Sequence, residues 1–489
     1  MHTIDILIFI AYLSGIVVFG SSFYSRNKTS VAFTLGNKSI PSWVITMSIF
    51  ATFVSSISYI ALPGQAFQSN WNPFVFSLSI PFAAFMTVKV FVPHYRSINS
   101  PSAYTYLELR FGRWARIYAS AMYLLTQLMR TGTILYLLAL TLNIITGWNM
   151  VTVILLTGVS VMIYSMLGGI QAVVWTDAIQ AIILIAGALV SAFVILFSMP
   201  EGPGQLFQIA GENHKFSLGS FKAGLTESTF WVVLIYGLFI NLQNFGIDQN
   251  YIQRYMTAAS DKEAKKSAMW GGLLYIPVSM LFLFIGTALF SFYTANQGML
   301  PDNIQSDRAF PYFIVNNLPV GLTGLLIASI FAAGMSTIST SINSSATIIL
   351  NDYFVKNLKD ENREPGSMKV LYISSFLFSM IAIIVALAMI NVHSALETWW
   401  KLASVFSGGM LGIFLLGLFS RRVNNTSAII GVIAGLLVIG WMSLSPFIFP
   451  GTILERFANP FHSYLSIVFG TTFIFIVGFL VGIVSRRSR

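Results

Sequence analysis

Thirteen predominantly apolar runs of roughly 20 residues, set along almost the whole chain, constrain this sequence more than any motif within it. They fall near 4–24, 43–68, 73–95, 117–144, 150–168, 177–199, 229–252, 269–293, 320–350, 369–391, 397–419, 427–446 and 462–484. In a bilayer such a run satisfies its backbone polar groups only as a helix. The sequence therefore predicts an all-α polytopic membrane protein. Composition agrees: 56% of the 489 residues are hydrophobic and 9% charged, where a soluble domain carries about 25% charged residues. The first run lacks a basic n-region and a small-residue cleavage site, so it reads as a retained span.

Several chemistries drop out at once. The chain has no cysteine, which excludes disulfides, thiolate metal sites and cysteine nucleophiles. Its five histidines (His2, His94, His214, His393, His462) are scattered, and neither an H-E-x-x-H pair nor a phosphate-binding P-loop is present. The spans contain no histidine–carboxylate cluster, so no enzyme activity and no organic cofactor are expected. The net charge of +10 has a topological cause. Arg26, Lys28 and Lys38 follow the first run, and Arg96, Arg110, Arg113 and Arg116 lie between the third and fourth. Arg254, Lys262, Lys265 and Lys266 follow the seventh, and Lys356, Lys359, Arg363 and Lys369 the ninth. Arg421 and Arg422 follow the eleventh, and Arg486, Arg487 and Arg489 close the sequence. All fall on one face, which the positive-inside rule makes cytoplasmic. The N-terminus is then outside and the C-terminus inside, and nucleic acid is not a partner. The longest loops, 200–228 and 294–319, fall on the opposite face, and neither is long enough for a separate domain. One membrane domain covers residues 1–489.

Transporter sites lie where spans unwind near the midplane. The second run clusters Thr52, Ser55, Ser56 and Ser58 mid-span and carries Pro63-Gly64 beyond them. Hydroxyl and β-branched residues compete with regular helical bonding, so a break fits here; small-residue helix packing is the alternative. The seventh run brings Gly237, Asn241, Gln243, Asn244, Gly246 and Asp248 together, amides too costly to face lipid. These two runs are five spans apart. That spacing matches two five-helix inverted repeats, each opening on a broken helix, over 43–199 and 229–420, with an extra helix at 4–24 and two more at 427–484.

The ninth run holds seven Ser/Thr among the ten residues 336–345. Positions 333, 336, 337, 340, 343 and 344 share one helical face. Hydroxyls and carbonyls suit a hard cation such as sodium, and close helix packing is the other use of small residues. Arg130 falls in the middle of the fourth run, where a guanidinium costs roughly 2.5–3.5 kcal/mol on insertion scales. Either it pairs with a carboxylate structurally or it receives an anionic substrate by a bidentate bond. Asp177 opens the sixth run, either as a helix-dipole partner or as an anionic ligand for a cation held against the ninth.

Three segments carry a family resemblance: Ser102 to Phe111 (SAYTYLELRF), Gly168 to Asp177 (GGIQAVVWTD), and the ninth-run Ser/Thr stretch. With them the chain resembles the sodium:solute symporters over nearly its whole length, and among these most resembles the bacterial sialic acid symporters. The resemblance implies a LeuT-type five-plus-five fold with one extra N-terminal and two extra C-terminal helices. It implies a first sodium site at the carbonyls of Ala51, Val54 and Ala333 and the hydroxyls of Ser336 and Thr337. A second would use Asp177, Ser336, Ser339 and Thr340, giving two sodium ions per cycle. Arg130 matches the arginine that receives the sugar carboxylate, and Ser55, Ser58 and Asn241 match further polar contacts. The departures are Phe53 for a threonine, Ser77 for a glutamine, and Pro73 and Gly237 for aromatics; Phe53 is expected to refill volume lost at Pro73 and Gly237. The function implied is sodium-coupled symport of an organic anion, foremost N-acetylneuraminate, by a monomer in the lipid of a bacterial cytoplasmic membrane. Sodium-coupled uptake of a monocarboxylate or proline is the alternative. An uncoupled channel or sensor is more remote, because no long signalling domain follows the last span.

Overall fold

A computed structural model describes residues 2–301, 304–358, 363–391, 409–420 and 423–487. Among these residues there is no strand, and one isolated bridge joins Ile40 to Ala258. Ten helices are long and apolar enough to cross a membrane, or up to 11 when one bent pair is taken as a single span. Residues 397–408 of the eleventh expected run, with Arg421 and Arg422, lie outside the described residues. The helices that build the site are α1 (Thr3–Ser21), α2 (Ser42–Phe53), α3 (Ser56–Gln68), α4 (Phe74–Leu78), α5 (Arg113–Thr146) and α6 (Met150–Phe197). They continue with α7 (Phe230–Ile247), α8 (Gln249–Thr257), α9 (Tyr275–Ala295) and α10 (Leu322–Ile348).

The second run breaks where its hydroxyls cluster. The chain leaves helical geometry at Val54 (φ −85°, ψ 117°) and Ser55 (φ −108°, ψ 170°), and the two halves meet at 53°. Inside α2 the Thr52 hydroxyl bonds back to the Ser48 carbonyl at 2.8 Å, the kind of local competition that weakens a helical ladder. The seventh run also breaks, but at Asp248 (φ −76°, ψ 126°), after the amide cluster. There the Asp248 carboxylate caps α8 by accepting from the Asn250 backbone N–H at 2.7 Å.

The fifth and sixth runs join end to end as α6, kinked at Gly169 (φ 56°, ψ −154°). That left-handed φ favours glycine, and a Cβ there would stand 2.8 Å from the Asn27 Oδ1. The helix restarts at once, so Asp177 lies about two turns into the second half rather than in its first turn. The reading of Asp177 as a first-turn dipole partner is thereby corrected.

Helix α10 is the centre of the molecule. Every residue from Leu326 to Ile348 is buried, and the helix packs against α1, α5 and α6. Its Ser/Thr stripe is thus turned to protein, never to lipid.

On the face of the basic loops, an ion network closes the packing. Arg116 of α5 bonds Asp352 at 2.6 Å and Glu108 at 2.5 Å, and Lys356 bonds Glu108 at 2.5 Å. Lys356 beside Glu108 holds that carboxylate below the usual range, with Arg116 adding to the effect. A carboxylate whose folded pKa is depressed contributes stability above its unfolded value, about 4.3, and loses it as pH falls through the folded one. Thermal unfolding in detergent should therefore show the midpoint dropping below about pH 4.3, with Glu108→Gln flattening that drop. An identical acid limb in Glu108→Gln would remove the network from the account.

Candidate functional site: an oxygen-lined break and a polar cavity

Where α2 ends, its last carbonyls leave the helical ladder and face α10. The Ser336 hydroxyl stands 3.2 Å from the Ala51 carbonyl and 3.1 Å from that of Ala333, and the Thr337 hydroxyl stands 3.3 Å from Ala333 O. Val54 is the extended residue that ends the helix, and all five groups are buried. Neutral oxygens converging in this way suit a monovalent hard cation. The structure brings together Ala51, Ala333, Ser336 and Thr337 of the expected set at the interface of the broken helix and α10, with Val54 buried at the break beside them.

One turn along α10, a second cluster forms around Asp177, which is fully buried. Ser339 reaches its Oδ1 at 3.4 Å and Thr340 its Oδ2 at 3.5 Å, while Ser339 also donates to the Ser336 carbonyl at 3.1 Å. The four residues Asp177, Ser336, Ser339 and Thr340 are therefore neighbours. They are not alone. Arg254 of α8 pairs with Asp177 Oδ2 at 2.6 Å, donates to Thr340 Oγ1 at 2.5 Å, and donates from Nε to Ser48 Oγ at 2.6 Å. Ser48 in turn donates to the same Asp177 oxygen at 2.7 Å. Arg254, one of the basic residues expected on the cytoplasmic face, is 1% exposed and forms a core ion pair.

A cavity of about 590 Å³ is lined in part by Gly219, Ser220 and Ser228 of the 200–228 loop. Its deeper wall includes Ser58, Pro73, Phe76, Ser77, Tyr236, Tyr275 and Ser279. The Ser77 hydroxyl is bonded to Ser279 at 2.9 Å. Below this wall Phe53 fills an aromatic layer: its ring lies 4.3 Å from Tyr275, 5.3 Å from Phe245, 6.3 Å from Phe76 and 6.4 Å from Tyr251.

The expected substrate contacts therefore separate into two groups. Ser58 and Ser77 line the cavity, while Asn241 donates to Ser79 Oγ at 2.9 Å and Phe76 O at 3.3 Å behind it. Ser55 is a buried residue at the break itself. Arg130, half-buried, does not line the cavity. Its charge acts through space on Asp248 and on Tyr251, a ring packed against Phe53, without a direct ion pair among the described residues. Phe53 refills volume at neither Gly237 nor Pro73. A Cβ on Gly237 would sit 2.8 Å from the Phe76 carbonyl, so α7 and α4 close on each other there, and Pro73 lines open cavity. Phe53 packs instead on Phe245 and Tyr275.

The core roles of Arg254 and Asp248, which the sequence shows only as charges, escaped sequence reading, and so did Ser48 and Tyr275. A signal existed for the first. Directly after the break, Gln249/Gln253 and Asn250/Arg254 repeat at i, i+4, a polar face on a helix whose nine residues are all buried.

An all-helical membrane protein with broken helices, an oxygen-lined interface at one break and a polar cavity beside it is a secondary transporter. Residues 33–435 match the sodium:solute symporter family, and the chain belongs to that family. It is 32% identical to the sodium/sialic acid symporter NanT of Aliivibrio fischeri over 482 residues, covering 98% of this chain and 92% of that one. It is 33% identical to the sodium/sialic acid symporter SiaT of Proteus mirabilis over 441 residues, covering 89% and 88% of the two chains. A solved substrate-bound outward-open structure of a Na+-coupled sialic acid symporter superposes with a TM-score of 0.91 at 29% identity, covering 99% of this chain and 98% of the other. The fold is thus the LeuT-type fold, and sodium is the coupling ion.

Proposed function

We propose that this chain carries sialic acid into the cell together with two sodium ions. The convergence of Ala51 O, Ala333 O, Ser336 Oγ and Thr337 Oγ1 at the break between α2 and α3 carries this reading. An ion held there ties the broken helix to α10 and favours one arrangement of the two, so its binding biases which face the cavity opens to. The second ion belongs between α6 and α10, at Asp177, Ser336, Ser339 and Thr340. The sugar enters the 590 Å³ cavity, meets Ser58 and Ser77 first, reaches Asn241 behind them, and engages Arg130 by its carboxylate once the Phe53 layer parts. Ser55, on the extended turn, completes the polar lining. The chain acts as a monomer and one membrane domain in the bacterial cytoplasmic membrane, with the repeats at 43–199 and 229–420. Its basic face is cytoplasmic, its N-terminus is outside and its C-terminus inside.

Radiolabelled sialic acid uptake into proteoliposomes tests the reading. Uptake should require an inward sodium gradient, and equal uptake without the gradient would refute coupling. Ser336 stands in both ion sets, so Ser336→Ala should weaken both. An ion that binds only the folded state stabilises it by mass action, by about 2.7 kcal/mol at a hundredfold excess over its dissociation constant. The sodium-dependent rise in the thermal midpoint should therefore shrink in Ser336→Ala, and an unchanged rise would place the ions elsewhere.

A further inference from the structure

Arg254 holds two of the four residues proposed for the second sodium ion. Its guanidinium nitrogens stand 2.6 Å from Asp177 Oδ2 and 2.5 Å from Thr340 Oγ1. The remaining bonds run elsewhere: Nε to Ser48 Oγ at 2.6 Å and Nη1 to the Asn250 carbonyl at 2.5 Å. Sodium and a guanidinium on the same buried carboxylate oxygen repel each other strongly at low dielectric. We propose that Arg254 is a tethered cation that takes turns with the second sodium ion on Asp177 and Thr340. The inference rests on the second ion site read above.

Asp177 is fully buried, and a carboxylate in such a place without a partner is prohibitive. A carrier that releases its second sodium must still return to the other face. With Arg254 on Asp177 the unloaded carrier makes that return as a neutral pair. When sodium arrives, Arg254 keeps Ser48 of α2 and Asn250 of α8 and gives up Asp177 of α6 and Thr340 of α10. The exchange therefore removes the guanidinium link between the elements flanking the two helix breaks and the α6–α10 pair, leaving the weaker Ser48–Asp177 and Ser336–Ala51 bonds, which couples ion binding to their relative movement. A guanidinium stays charged at all working pH values, so the exchange is set by sodium alone.

The test uses the full-length protein carrying Arg254→Gln. Sodium dependence of thermal stability is read with choline chloride holding ionic strength constant. Net uptake and substrate exchange are then compared in proteoliposomes. With the competitor gone, the sodium concentration for half-maximal stabilisation should fall about tenfold or more. Net uptake, which needs the unloaded return, should fall about tenfold relative to exchange, which does not. Arg254→Lys keeps the charge but loses the planar fork that bridges Asp177, Thr340 and Ser48, so its sodium midpoint should lie between the two; it carries the same test if the glutamine variant cannot be purified. A sodium midpoint that stays put or rises, or net uptake and exchange that fall in parallel, overturns the proposal. In that case a wild-type sodium Hill coefficient of about two leaves the second ion standing, whereas a coefficient of about one removes the second ion and this proposal together.

Discussion

Arg130→Ala is expected to lower affinity for an acidic sugar by roughly 30-fold to several-thousand-fold. Truncating one partner of a desolvated charge-assisted pair typically costs about 2–5 kcal/mol, and each 1.4 kcal/mol is about tenfold. The structure adds a condition. The charge of Arg130 acts on Asp248, the residue at the break between α7 and α8, and Arg130 lies outside the cavity, whose wall residue Tyr275 packs on Phe53. A purely structural role would therefore show as lost stability that Asp248→Asn restores, with binding recovered in the double variant. The substrate role predicts that Arg130→Ala/Asp248→Asn still binds no acidic sugar. Titration calorimetry with the sugar and with a neutral analogue lacking the carboxylate decides between them. Near-wild-type affinity in Arg130→Ala would end the anion reading. Phe53 enters the same experiment, because its ring closes the way: Phe53→Ala should speed sugar association without adding a polar contact.

Asp177→Ala carries the second large effect, and the structure sets its sign. As a first-turn dipole partner the residue would be worth about 0.3–1 kcal/mol. As the buried partner of Arg254, its loss leaves an uncompensated guanidinium in the core, a change of about 3–5 kcal/mol. The variant should be poorly stable in detergent, and sodium should no longer rescue the second site. A double-mutant cycle with Asp177→Asn and Arg254→Gln isolates the pair, since neighbours in one network couple by about 0.5–3 kcal/mol. Additive losses would mean that the two groups do not act as a pair. Charge movement supplies an independent readout. For a singly charged acid, two sodium ions move one net positive charge per cycle, worth about 2.3 kcal/mol per 100 mV. Uptake under potentials set by potassium and valinomycin should then depend on voltage in the wild type. Voltage-blind uptake with a Hill coefficient of about one would defeat the two-ion reading.

What the sequence determined by itself was local. Span lengths follow from apolar runs and the bilayer requirement, and the break after Phe53 falls at a cluster of hydroxyl and β-branched residues that compete with helical bonding, although α10 carries a denser cluster without breaking. The oxygen chemistry of α10 was legible for the same reason: side chains three and four residues apart share a face whatever surrounds them. Which groups meet across the core was decided only in three dimensions. Arg254 reads as one more basic charge after a span, yet the turn at Asp248 swings α8 inward and delivers its guanidinium to Asp177, 77 residues away. Asp248 reads as the polar end of an amide run, yet it becomes the carboxylate that Arg130 senses. Gly237 reads as a lost aromatic, yet it is where α7 meets the Phe76 backbone. A buried charge must find an opposite charge and a packed helix must find a groove, but many partners along the chain satisfy either need. The packing of the broken helices against α6 and α10 selects among them.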